Sequence, residues 1–167
     1  MGWVRIGENV TEIGNYAFDG CKMLGDAGYI AKYPFTLPKN LSSIGTYAFR
    51  NTSFWSNVKS GGVYVGYWLV GYIPSESETE FSIKNGTKGV GSYVFYKSPY
   101  LEIVTIPDSI TVLGNGAFAE CPKLSRVITG DFCQLTKIND FVFYKCSLLD
   151  KVDIPVKTKT IGTVSYT

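Results

Sequence analysis

The sequence predicts a mainly β chain of the α/β class, wound as a solenoid with right-handed coils of about 23 residues, a parallel sheet and one inserted β-hairpin. Three observations carry this. A template running from Val104 to Leu124 recurs along the chain of 167 residues. Its columns hold mostly apolar or small residues, as expected of coils too short to bury their own faces, which share one core by stacking. The long interruption after the second copy reads Val63-Tyr64-Val65-Gly66-Tyr67-Trp68-Leu69-Val70-Gly71-Tyr72, two β-rich runs around a glycine.

In chain order, the first copy holds Ile13-Gly14-Asn15-Tyr16-Ala17-Phe18 with Cys21 and Leu24, and the second holds Ile44-Gly45-Thr46-Tyr47-Ala48-Phe49 with Thr52 and Trp55. Extra residues at 25–32 separate them. The hairpin insertion, about 56–80, comes next. Gly66-Tyr67 is its expected two-residue turn, which leaves Tyr67 or Trp68 near the tip. The third copy reads Val90-Gly91-Ser92-Tyr93-Val94-Phe95, then Ser98 and Leu101; the fourth reads Leu113-Gly114-Asn115-Gly116-Ala117-Phe118, then Cys121 and Leu124. The fifth reads Ile138-Asn139-Asp140-Phe141-Val142-Phe143, then Cys146 and Leu149, and a sixth runs from Val152 to Ile161-Gly162. The leading column at 13, 44, 90, 113, 138 and 161 has intervals of 31, 46, 23, 25 and 23 residues, so the unit is 23 with insertions between units. Gly130 and two extra residues near 132–134 predict a bulged fifth coil. Residues 1–167 are read as one domain.

Within a coil, Leu101, Val104 and Ile106 have the spacing of an inward-facing strand, repeated in Leu124 and Val127 and in Leu149, Val152 and Ile154. After Pro107 or Pro155 a turn leads to the second inward position, Ile110 and Leu113. Phe18, Phe49, Phe95, Phe118 and Phe143 then form the spine of the core. The glycine after the leading column is expected to serve a tight bend or a positive φ, which Asn139 also tolerates. Cys21, Cys121 and Cys146 share one column and read as small inward side chains with free thiols. Cys133, in the two-residue insertion, is expected to be partly exposed.

Composition removes much chemistry. At 45% hydrophobic and 18% charged residues, with 12 Tyr, 10 Phe and 3 Trp, the chain folds. Sixteen Lys and Arg against fourteen Asp and Glu leave +2, no field to draw nucleic acid or an anionic membrane. The absence of histidine excludes Ser-His-Asp triads, Cys-His dyads, imidazole acid–base catalysis and most histidine-bearing metal sites. No run approaches the roughly 18 apolar residues of a membrane span, and Met1-Gly2-Trp3-Val4-Arg5 lacks a basic region followed by an apolar run. No cofactor is expected: the glycine clusters lack the arrangement of a phosphate loop, and Ser75 to Glu80 reads as a solvated loop rather than a calcium site.

These columns resemble the BspA-like leucine-rich repeats, whose pattern is roughly Leu-x-x-Val-x-Ile-Pro followed by Ile-Gly-x-x-Ala-Phe-x-x-Cys. The resemblance covers nearly the whole chain and implies a leucine-rich-repeat solenoid. It also implies a cell-surface or secreted location, and adhesion or binding to host extracellular macromolecules. Departures are Thr52 and Ser98 in the cysteine column, and Gly7, Lys84 and Gly130 in place of the proline.

The candidate contact residues are the hairpin aromatics Tyr64, Tyr67, Trp68 and Tyr72, suited to anchoring a protein or stacking on a sugar, and Thr105, Arg126 and Lys151 on the outer face of the strands. Against the first set stands the reading that alternate hairpin side chains fold back onto the neighbouring coil. The function expected is a non-catalytic binding or adhesion module for a protein or glycan partner. A passive spacer within a larger surface protein is the alternative. An enzyme working in the manner of polysaccharide lyases would have to use Glu102, Asp150, Asp153, Arg126 and Lys151, which read more simply as charge pairs along the ladder. Terminal strands without partners allow an end-to-end homodimer.

Overall fold

The computed structural model describes residues 4–163; the opening residues 1–3, part of the stretch read for a leader, lie outside them. Twelve short strands and two helices are described: β1 Glu12–Ile13, α1 Ala27–Lys32, β2 Ser43–Ile44, α2 Ser53–Ser56, β3 Gly61–Val65, β4 Trp68–Ile73, β5 Glu80–Ser82, β6 Gly89–Val90, β7 Ile103–Ile106, β8 Val112–Leu113, β9 Arg126–Thr129, β10 Lys137–Ile138, β11 Lys151–Val152 and β12 Thr160–Ile161. The expected strand column is a four-stranded parallel sheet, β11-β9-β7-β5. The leading Ile-Gly column, read only as a second inward position, builds a ladder of its own: β12-β10-β8-β6 are parallel neighbours, and β4 and β3 extend the same sheet to six strands. β1 and β2 form a separate parallel pair. Among the described residues the first two coils therefore lack the outer strand.

Registers follow the inward columns. Phe81, Val104 and Val127 are in line, as are Val127 and Val152, and Leu69, Val90, Leu113, Ile138 and Ile161 form the other line. Parallel in-register pairing puts apolar side chains of equivalent positions over one another, so each apolar column becomes a continuous strip. The phenylalanine spine is buried as expected at Phe49, Phe95, Phe118 and Phe143, whereas Phe18 in the end coil is half-buried. Phe95, Phe118 and Phe143 stack with centroids 4.9 and 5.7 Å apart, and Phe18 stacks on Phe49 at 5.2 Å. Burying each such ring contributes about 1.5–3 kcal/mol.

Between Phe49 and Phe95 the spine is interrupted, and the hairpin fills the gap. β3 and β4 pair antiparallel around Gly66, whose φ of 54° supplies the left-handed first position of the two-residue turn, with Tyr67 second. The register shifts between Val63 and Tyr64, opposite an extra residue, Val70, in β4. This bulge turns the strand so that nearly every β4 side chain is buried: Trp68, Leu69, Val70 and Tyr72. Val63, Val65, Trp68 and Val70 join the core of the first two coils, whereas Leu69 and Tyr72 join the core of the later ones. The hairpin is a wedge between two stacks. Its Leu69 takes the place in the ladder that Ile44 would have held, and the Gly91 amide donates to the Leu69 carbonyl at 2.9 Å while Ser92 donates to Ile44 at 2.8 Å. Tyr72 supplies the missing ring against Phe95 at 4.9 Å.

The segment at 25–32, read only as an insertion, contains α1, capped by Asp26, whose carboxylate accepts from the Tyr29 amide at 3.0 Å. The turns after the Ile-Gly column correct another expectation. The positive φ lies two residues beyond the glycine, at Tyr16 (57°), Tyr47 (53°), Tyr93 (56°), Gly116 (59°) and Phe141 (59°). It recurs four residues later, at Gly20, Asn51, Lys97, Glu120 and Lys145. At two of its positions the column glycine is demanded by crowding: a Cβ on Gly114 would sit 2.5 Å from the Ser92 nitrogen, and one on Gly45 would sit 2.5 Å from the Asn15 nitrogen, whereas Gly14 stands clear. Stacked coils approach backbone to backbone there.

Cysteines also divide. Cys121 and Cys146 are buried free thiols, their sulfurs donating to the carbonyls of Phe95 (2.9 Å) and Phe118 (3.0 Å) in the coil before. Cys21 is exposed, because its coil has none before it among the described residues. Cys133 is not partly exposed but buried, and burial pushes its thiol up; the fifth-coil insertion instead turns out Phe132, 76% exposed. Beyond that insertion β9 and β11 pair only at Arg126–Lys151 and Val127–Val152.

Candidate functional site

The seven residues singled out from sequence fall into three groups. Tyr67 stands free at the hairpin tip, 65% exposed. Trp68 and Tyr72 do not: both are core residues, because the bulged β4 has neighbours on either side. For these two the fold-back reading is the right one. Tyr64 is intermediate. Its hydroxyl accepts from the Lys84 amide at 3.1 Å, the Lys84 ammonium lies 4.4 Å from its ring centroid, and burial pushes its phenol up.

On the outer sheet, Thr105 is half-buried between Ser82 and Ile128, and Arg126 lies beside Lys151 in register. The expected charge cancellation between strands is therefore absent at this point. Two cations are neighbours across the ladder, and Lys151 is balanced within its own strand region by Asp153 at 3.2 Å. Both are exposed. On the other sheet a polar groove of about 920 Å³ crosses several coils, edged by Asn15, Ser42, Ser92, Asn115, Lys137 and Asp140.

The most distinctive surface is one that spacing alone does not mark. The left-handed column that follows Ile-Gly carries aromatic residues in four of its five copies, and their rings lie along the turn face of the stack. Tyr16 and Tyr47 are 5.9 Å apart, with the Arg50 guanidinium 5.4 and 4.9 Å from their ring centroids. Arg50 is held there by the Asp19 carboxylate, whose pKa that hydrogen bond lowers. Trp55 continues the row at 6.5 Å from Tyr47. Further on, Tyr93 meets Tyr96 at 5.6 Å, and Phe141 meets Tyr144 at 6.0 Å. The Lys97 ammonium lies 5.0 Å from the Tyr96 ring, and Lys97 pairs with Glu120 at 3.6 Å. Two glycines seat the rings: a Cβ on Gly116 would overlap the Tyr93 ring, and one on Gly71 would overlap Trp55. The legible signal was residue type against conformation. A bulky aromatic at positive φ is uncommon and costs roughly 1–2 kcal/mol, and one copy reverts to glycine.

In the middle of this row, where the wedge parts the second and third coils, lies a cleft of about 230 Å³ walled by Tyr47, Trp55, Tyr93 and Tyr96. Tyr72 also borders it and carries a buried hydroxyl with no hydrogen-bond partner among the described residues; burial pushes that phenol up. Among the described residues no group of three or more acidic or cysteine side chains is placed to hold a metal ion, and no helix is long and apolar enough to cross a membrane.

Comparison with solved structures gives the same architecture. A leucine rich cell surface protein from Faecalibacterium prausnitzii aligns with a TM-score of 0.57 over 93% of this chain at 23% identity. A leucine-rich repeat protein from Bacteroides ovatus aligns with 0.51 over 95% at 23%, and the pneumococcal vaccine antigen PcpA with 0.55 over 76% at 24%. The chain spans 42%, 38% and 34% of their lengths, so the likeness is one of fold. No curated protein sequence matches it. The profile of the BspA type leucine rich repeat region matches six copies over residues 1–60 and 74–167, leaving out the stretch that holds the hairpin. With its columns, ladders and phenylalanine spine all accounted for, the chain belongs to the BspA-type leucine-rich repeat family.

Proposed function

We propose that this chain is a non-catalytic binding module at a bacterial cell surface, taking a protein or glycan partner on its turn face. The observation that carries this reading is the row of aromatic side chains held at positive φ, from Tyr16 to Phe141. That backbone conformation favours glycine, so an aromatic there carries a conformational cost; Tyr16 is 51% exposed and Phe141 39%, and Tyr47 and Tyr93 are half-buried. Such rings, with guanidinium and ammonium groups over their faces, are contact chemistry suited to macromolecules. Tyr67 at the hairpin tip and the Arg126–Lys151 pair on the outer sheet are secondary contact points. The extracellular assignment draws on the relative described as a cell surface protein.

The test is an array of extracellular proteins and glycans probed with the wild-type chain and with a Tyr16→Asn, Tyr47→Asn, Tyr93→Asn variant. Asparagine tolerates the left-handed conformation, so the variant removes the rings while keeping the turns. Specific binding lost in the variant supports the turn face. Binding retained there but lost in Tyr67→Ala, or in Arg126→Ala with Lys151→Ala, moves the contact to the hairpin tip or the outer sheet. A silent array favours a spacer that carries other domains.

A further inference from the structure

We infer that the break between the second and third coils is a saccharide-binding cleft that takes one ring of a neutral glycan; this rests on the reading of the chain as a binding module. At the other complete junctions, three turn amides of one coil donate to three carbonyls of the next. Tyr16, Phe18 and Gly20 donate to Thr46, Ala48 and Arg50 at 3.0, 2.8 and 3.0 Å, and Tyr93, Phe95 and Lys97 donate to Asn115, Ala117 and Ala119 at 2.9, 2.8 and 3.1 Å. Gly116, Phe118 and Glu120 do the same to Asp140, Val142 and Tyr144. The corresponding donors of the second coil are Tyr47, Phe49 and Asn51, and the corresponding acceptors of the third are Ser92, Val94 and Tyr96. Among the described residues none of these three bonds is formed: β4 is inserted at this junction, and the two coils meet through the Ser92 amide and the Ile44 carbonyl instead.

Four of those six residues, Tyr47, Ser92, Val94 and Tyr96, line the cleft. Backbone groups deprived of partners are costly, and at the opening one donor residue, Tyr47, faces three acceptor residues, Ser92, Val94 and Tyr96. A sugar hydroxyl both donates and accepts, so one ring satisfies both sides at once. The walls suit the rest of that ring: Trp55, Tyr47 and Tyr93 offer aromatic surface on which the C–H face of a saccharide packs. Charge points the same way. Among the described residues no carboxylate lines the cleft, and its one cation, Lys97, is engaged by Glu120 and by the Tyr96 ring, so the site selects a neutral group. At about 230 Å³ it is smaller than the roughly 300–1,000 Å³ of a drug-sized pocket, which fits one ring rather than a peptide segment.

The experiment titrates the wild-type chain with neutral oligosaccharides, oligomers of hexose and of N-acetylhexosamine, reading tryptophan fluorescence and saturation-transfer NMR. A saturable response is expected. Trp55→Ala should weaken it about tenfold, and Tyr96→Ala, whose exposed side chain leaves folding intact, about threefold, while Val156→Ala, at an exposed position far along the chain, leaves it unchanged. Failure of every saccharide to saturate, equal affinity in the Trp55 and Tyr96 variants, or occupation of the cleft by a peptide would each overturn the inference. If array binding depends on Tyr16, Tyr47 and Tyr93 while no saccharide binds, the cleft inference falls alone. If array and titration are both silent, the binding reading falls with it.

Discussion

The coils after the hairpin and the coils before it obey the same sequence rule with different results. From Val90 onward the rungs are nearly parallel: Phe95, Phe118 and Phe143 stack with interplanar angles of 10° and 7°, and both sheets run through all four coils. In the first two coils Phe18 and Phe49 stack at 25°, and Phe35 and Phe54 crowd in edge-on. The outer strand is missing there among the described residues. A repeat column thus specifies what points inward, whereas regular stacking requires a neighbour on each side at the right distance. The first coil has a described neighbour on one side, and the second has a wedge on the other.

The sharpest way to break this comparison is to remove one ring from each region. Phe118→Ala, between two stacked rings, should cost about 3–5 kcal/mol in urea unfolding. Phe18→Ala, at a half-buried end position, should cost about half as much, because its surroundings collapse more easily. Equal costs would show that the two stacks are equally ordered. Next in size is the glycine column. Gly114→Ala forces a Cβ against the Ser92 backbone and should destabilise by about 1–3 kcal/mol, whereas Gly14, with nothing within 4 Å of the corresponding Cβ, should become more stable by about 0.4–1 kcal/mol on replacement by alanine. Matching thermal shifts in the two variants would return the column to a conformational explanation.

Thiol labelling at pH 8 sharpens the contrast at one column. Cys21 should react within the time of a free thiol, and Cys121, Cys133 and Cys146 should react only as fast as the fold opens, since burial excludes the reagent. Comparable rates for Cys21 and Cys121 would mean that the inner coils open as readily as the first. The smallest expected effect is electrostatic. Asp19 in the first coil binds Arg50 in the second, which lowers its carboxyl pKa. Its contribution is present above the unfolded carboxylate value near 4 and is lost as pH falls through the lower folded value. In Asp19→Asn the unfolding midpoint should respond less to acid below pH 4, with no change between pH 6 and 8. A full acid response in the variant would remove this pair as a tie between the first two coils.

How far these features were legible differs by residue. The phenylalanine spine and the inward Val, Leu and Ile positions were readable because apolar spacing maps directly onto facing direction. The hairpin turn at Gly66 was readable from local conformation alone. Trp68 and Tyr72 were not, because alternation assigns faces only in a strand with one wet side, and a bulge between two cores buries both. The aromatic row was legible in principle from Tyr16, Tyr47, Tyr93 and Phe141, but only once the positive φ at that column was known. Neither the missing ladder bonds nor the cleft they open leaves a sequence trace, since both arise from what the wedge keeps apart.

By itself the sequence determined the coil length, the inward columns, the sites of insertion and the exclusion of histidine chemistry, because each follows from residue type at fixed spacing. The tertiary structure decided that the insertion enters the stack rather than projecting from it, that the column glycines answer crowding, and that aromatic rings gather at one opening. Those outcomes depend on contacts between residues tens of positions apart, and burial there is set by what stacks above and below.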